Sequence, residues 1–202
     1  RYMDTAPYEV LENDVMPFQD IIRIKRVEDI LEKYWNDHRM DHTIEYLVTR
    51  EFPTAFDFFQ EFGDYWEDKG WNRIGHQLES LFVRLLEFLT LRKTKNLEVI
   101  EGLMKLDYFL NHKYKPRKIW WDFQLTKQDI ARFVKEVVGN PHLVSKEFQR
   151  LQLSEKEIYK HIMFEILSFD LEHYLSTGEI KRRETLLIMY YHEPNQAQFF
   201  MK

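Results

Sequence analysis

His38 and His42 stand four residues apart with Asp41 and Glu45 beside them. On one continuous helix, imidazoles at that spacing face a common metal, as the helices of zinc proteases require. Here the order is His-Arg-Met-Asp-His, without the Glu that follows the first His in that motif, and a helix break over 36–39 separates the two rings. We therefore assign no metal ligand. Carboxylates cluster at Glu9, Glu12 and Asp14 and again at Glu165, Asp170 and Glu172. A buried pair of carboxylates can divide acid and base roles, but solvated acidic residues are the better account of both groups, and we assign no catalytic residue.

The densest chemistry lies in His112-Lys113-Tyr114-Lys115-Pro116-Arg117-Lys118-Ile119-Trp120-Trp121, where four fixed positive charges precede two tryptophans. Cations neutralise phosphates and aromatic faces stack on bases, so Lys113, Lys115, Arg117, Lys118, Trp120 and Trp121 are the candidate contacts for a substrate or an anionic partner such as RNA. The competing reading is a solvated loop anchored by core tryptophans, with no second basic element obvious in the sequence. No cofactor-binding residue emerges, because no Gly-rich phosphate loop, G-x-S-x-G elbow or H-E-x-x-H is present.

These residues need elements to position them. Ile24, Val27, Ile30, Leu31, Tyr34 and Trp35 predict an amphipathic helix over 18–35, entered after Pro17. A short helix over 41–50 follows, interrupted by Pro53. Thr54 and Asp57 then open an aromatic helix that carries Phe58, Phe59, Phe62, Tyr65 and Trp66 on one face. The period of Ile74, Leu78, Leu81, Phe82, Leu85, Phe88 and Leu89 predicts a helix over 72–92. Further helices are expected over 97–110 and from Thr126 to Gly139. Residues 158–171 fit a helix and a strand equally, and with 185–191 they suggest a terminal antiparallel pair.

The composition agrees. The chain has 44% aliphatic and aromatic residues against 31% charged, with only six Gly and six Pro, so it can build a core and favours helices over a turn-dense sandwich. It has no cysteine, which removes disulfides, thiolate nucleophiles and Cys-ligated iron–sulfur clusters. No apolar run is long enough for a membrane span, and the first ten residues lack a secretory h-region, so a cytoplasmic protein without membrane contact is expected. The net charge of −5 conceals a gradient, with −9 over residues 1–70, +6 over 71–150 and −2 over 151–202. Such a gradient serves attraction within the chain or a surface for an anionic partner.

Three segments carry a resemblance. Pro7-Tyr8-Glu9-Val10-Leu11, then Arg23-Ile24-Lys25-Arg26-Val27-Glu28 and Tyr34-Trp35-Asn36, resemble the passage that follows the catalytic barrel in cobalamin-binding radical S-adenosylmethionine (radical SAM) proteins. Phe56-Asp57-Phe58-Phe59, Leu106-Asp107-Tyr108-Phe109-Leu110 and the Lys-Pro-Arg-Lys and Trp-Trp that follow resemble later landmarks of their uncharacterised helical C-terminal domain. The resemblance implies a parent enzyme with an upstream barrel, an iron–sulfur cluster, S-adenosylmethionine and cobalamin. The start at Arg1 is compatible with a segment of such a polypeptide. The family's Cys-x-x-x-Cys-x-x-Cys and Asp-x-His-x-x-Gly loops have no counterpart here, so no cofactor residue carries over.

The expectation is a mainly α fold, an irregular multi-helix domain with a small C-terminal antiparallel β element (α+β by strict count). Residues 1–17 would connect to the barrel, and 18–202 would form a helical accessory domain with a terminal hairpin near 158–191. This domain is expected to be non-catalytic, packing on the barrel and shaping substrate access. The alternative is a self-contained helical module that recognises an anionic partner such as RNA through the 113–121 loop.

Overall fold

Pro17 opens α1 (Phe18–Leu31), its carbonyl accepting from the Asp20 N–H at 3.0 Å. A computed structural model describes residues 15–191 and 198–201. The Glu9, Glu12 and Asp14 cluster, the Pro7 to Leu11 segment and most of the expected 1–17 connection lie outside the described residues. The chain is mainly helical with a small antiparallel sheet, as its composition and periodicity imply. It divides into two compact units, the first ending at Lys95 and the second beginning at Asn96.

The regular elements of the first unit are all helices among the described residues. α1 buries Ile21 and Ile30 and continues into a π-helical turn (Glu32–Asn36), whose wider register shows in the Asp37 N–H to Glu32 carbonyl bond. α2 (Asp41–Tyr46) ends in a second such turn (Leu47–Glu51), closed by the Phe52 N–H on the Leu47 carbonyl at 3.1 Å. These turns place Tyr34 and Leu47 in the interior. Thr54 caps α3 (Ala55–Asp68) as expected, its hydroxyl oxygen accepting from the Asp57 N–H at 3.1 Å. Gly63 lets α3 approach α1 closely, since a Cβ there would lie 3.1 Å from the Arg26 carbonyl oxygen.

The helix expected over 72–92 is shorter, α4 (Leu78–Leu91), and it follows a 3-10 turn (Trp71–Arg73) and an extended passage. Gly70 at φ 68° ends α3, and the Trp71 ring stays packed on Trp66 and Tyr65, with ring centroids 5.2 and 5.6 Å away. Ile74 therefore lies exposed rather than in the buried stripe. Its spacing of four from Leu78 mimicked one more helical turn.

In the second unit, α5 (Leu97–Leu110) buries Ile100, Leu103, Met104, Leu106, Tyr108 and Phe109. α6 (Lys127–Gly139) begins with a capping box formed by Thr126 and Asp129. The stretch read as helix or strand holds one after the other. Ser154 and Glu157 form a second capping box that starts α8 (Glu155–His161), after a short α7 (Lys146–Arg150), and β1 (Ile162–Leu167) follows without a break. β1 pairs antiparallel with β2 (Thr185–Tyr190), Ile162 opposite Tyr190 and Leu167 opposite Thr185. The connection is longer than a hairpin turn and holds α9 (Leu171–Thr177). A third strand, β3 (Gln198–Met201), gives the order β1-β2-β3. Phe133, Val134 and Val137 of α6 pack with Phe148, Ile158, Phe164, Ile188 and Tyr190 into the core of this unit.

Candidate functional site

The 113–121 loop leaves the end of α5, where the His112 N–H donates to the Phe109 carbonyl at 3.2 Å. Its two ends are fastened by different chemistry. Pro116 is buried. The Tyr108 hydroxyl, rising from α5, donates to the Lys118 carbonyl at 2.9 Å. Trp121 meets Tyr108 and Phe109 edge-on at 5.6 and 5.3 Å and Trp120 at 5.2 Å. Its indole N–H donates to Glu165 Oε2 at 3.0 Å. Lys105 completes that arrangement, donating to Glu165 Oε1 at 2.8 Å with its ammonium 5.6 Å from the Trp121 ring centre. Glu165 is 3% exposed, and a carboxylate at such a position is tolerable only when paired and hydrogen-bonded.

The six candidate side chains thus fall into three groups. Trp120 and Trp121 are half-buried, and Trp121 is an anchor. Lys115 points back to the protein, its ammonium donating to the Tyr159 carbonyl on α8, and burial lowers its pKa. Lys113, Arg117 and Lys118 are exposed, and among the described residues their side chains make no ion pair or hydrogen bond. Tyr114 is 66% exposed beside them. The loop combines a braced backbone with free cationic tips.

The other sequence candidates separate. Glu165 belongs to Lys105 and Trp121, whereas Asp170 caps α9, accepting from the His173 N–H at 3.0 Å and from Arg183 at 3.1 Å. Glu172 is exposed. These carboxylates form no acid–base pair. His38 sits at φ 52°, ahead of α2, with Nδ1 3.1 Å from Asp41 Oδ2, while His42 lies inside the helix. The expected helix break is present, and no group of three or more His, Asp or Glu suited to a metal occurs among the described residues. The aromatic face of α3 is spent on packing, with Phe58, Phe59, Phe62 and Trp66 buried among Tyr34, Phe52 and Phe88.

Two features escaped the sequence. One is the Lys105–Glu165–Trp121 arrangement, whose only signal is a lone carboxylate within the apolar run Ile162-Met163-Phe164-Glu165-Ile166. The other is Arg84, whose guanidinium carbon lies 5.3 and 5.0 Å from the Trp66 and Trp71 ring centres while its N–H reaches His76 Nδ1. Burial, and then the charge of Arg84, lower the His76 pKa.

Residues 1–189 match the model of the family described as "Protein of unknown function (DUF4080)". The chain belongs to this family, whose function is uncharacterised. No curated protein and no solved structure matches it. No described helix is long and apolar enough to cross a membrane.

Proposed function

We propose that this chain is a non-catalytic accessory domain of a cobalamin-dependent radical SAM enzyme, packing on the catalytic barrel and shaping access to the substrate. The observation that carries this reading is where the landmarks of the resemblance lie. Phe58 and Phe59 are core residues of the first unit, and Leu106, Tyr108, Phe109 and Trp121 hold the second together. The resemblance therefore follows the framework of both units.

The parent's cofactors do not fit this chain. It has no cysteine to ligate a cluster and no Asp-x-His-x-x-Gly loop to hold cobalamin. Of its buried carboxylates, Glu165 is committed to Lys105 and Trp121, and Asp170 to Arg183 and the α9 cap. Chemistry of that kind would reside in the barrel and its cofactors, leaving this domain to pack and to cover.

The reading is tested on the parent polypeptide. The frame upstream of the Arg1 codon should encode a Cys-x-x-x-Cys-x-x-Cys loop, and the upstream portion should co-purify with this domain and lose turnover without it. No association, together with full activity of the truncated enzyme, would overturn it.

A further inference from the structure

The 113–121 loop gains from the fold the second basic element that its sequence lacks. The bond from Lys115 to the Tyr159 carbonyl brings the last turn of α8 beside the loop, although 44 residues separate the two partners. That turn carries Lys160, which is exposed, and Tyr159, which is 36% exposed. We propose that residues 113–118 and the last turn of α8 form one docking surface for a single-stranded polynucleotide, with Lys113, Arg117, Lys118 and Lys160 on phosphates and Tyr114 and Tyr159 stacking on bases.

Charge complementarity favours a polyanion. Like charges held on a braced loop repel one another, and phosphates that bind them release condensed counterions. The exposed tyrosines select the strand state, because ring faces can stack only on bases that are not already stacked in a duplex. A bilayer fits less well, since Pro116 is buried and Ile119, Trp120 and Trp121 are half-buried, leaving only the two amphipathic tyrosines, Tyr114 and Tyr159, to face it. Lys115 supports the surface without touching the ligand. It occupies a carbonyl at the negative end of α8, which would otherwise repel phosphate. The inference is independent of the accessory-domain reading.

The test is fluorescence anisotropy of labelled oligouridylate with the whole chain. Binding should weaken about 50-fold between about 50 and 200 mM salt, as about four phosphate contacts on a single strand require. Replacing Lys113, Arg117, Lys118 and Lys160 together by Gln should remove most of the binding and flatten that salt dependence. Tyr114→Ala should weaken binding about tenfold and leave the salt dependence unchanged. These variants should melt close to the parent protein, because Lys113, Tyr114, Arg117, Lys118 and Lys160 are all exposed. No binding at the lower salt overturns the proposal, as does an unchanged affinity in Tyr114→Ala and Tyr159→Ala. Equal affinity for duplex or heparin reduces the surface to general anion attraction and overturns it too. Retention on phosphatidylserine vesicles without oligouridylate binding would replace the polynucleotide with a membrane.

Discussion

The first unit spends its unusual residues on its own interior, whereas the second leaves some of them facing out. Around α3, edge-to-face and stacked rings of Tyr34, Phe52, Phe58, Phe62, Trp66 and Phe88 interlock, with centroids 4.8 to 6.4 Å apart, and even Arg84 lies against two indoles, those of Trp66 and Trp71. Around α5, a buried ion pair and an indole N–H fasten a loop whose outer cations have no partner among the described residues. Aromatic richness is therefore a poor guide to function in this chain. The useful signal is a charge whose backbone is fixed and whose side chain is not.

The sharpest way to break that contrast is to remove the charge that balances Glu165. Lys105→Met leaves a carboxylate buried without its cation and should cost about 3–5 kcal/mol, with much of it recovered when Glu165→Gln is added, because a neutral amide oxygen still accepts from Trp121. Amide exchange should lose protection in β1 and β2 and keep it in α3. Equal loss in α3 would erase the contrast by making both units one cooperative body.

A smaller effect is expected at Gly102, where a Cβ would lie 2.7 Å from Phe169 Cε1. Overpacking of about 1–3 kcal/mol opposes a helix-propensity gain of roughly 1 kcal/mol for Ala over Gly, so Gly102→Ala should lower the unfolding free energy, measured by denaturant titration, by about 1 kcal/mol. A rise would show that the Phe169 ring yields freely.

The smallest effect belongs to His76. Its folded pKa lies below the unfolded value near 6.5, so the neutral ring stabilises the first unit fully above that value, and the contribution is lost as pH falls toward the lowered folded pKa. Denaturation midpoints measured at about pH 7 and about pH 5 should drop less in His76→Gln than in the parent protein. Identical drops would remove His76 from the Arg84 cluster's energetics.

Much of the frame was legible in the sequence because it is written locally. Thr54 with Asp57 and Thr126 with Asp129 announce helix starts through bonds three residues apart, and Gly139-Asn140-Pro141 announces a stop. The start of α4 was misplaced because Ile74 repeats the helical spacing while Trp71 answers to Trp66 and Arg84 instead. Residues 158–171 were ambiguous because helix and strand lie end to end there; the Ser154 to Glu157 cap marks where α8 starts, and β1 takes over directly after His161. At the loop, the residue types were visible, but their division of labour was not. That Lys115 braces while Lys113 reaches outward depends on Tyr159, 44 residues further along the chain from Lys115.

The two π-helical turns at Glu32–Asn36 and Leu47–Glu51 also bear on how the chain can change length. Each holds one residue more than an α-helical path between the same hydrogen-bonded ends. Deleting a residue elsewhere in a helix swings all that follows by about 100° around the axis, whereas a deletion inside one of these turns can be absorbed as ordinary α-helix. Losing one residue there would turn the closing bond, Asp37 N–H to the Glu32 carbonyl or Phe52 N–H to the Leu47 carbonyl, into the ordinary α-helical one at the helix end.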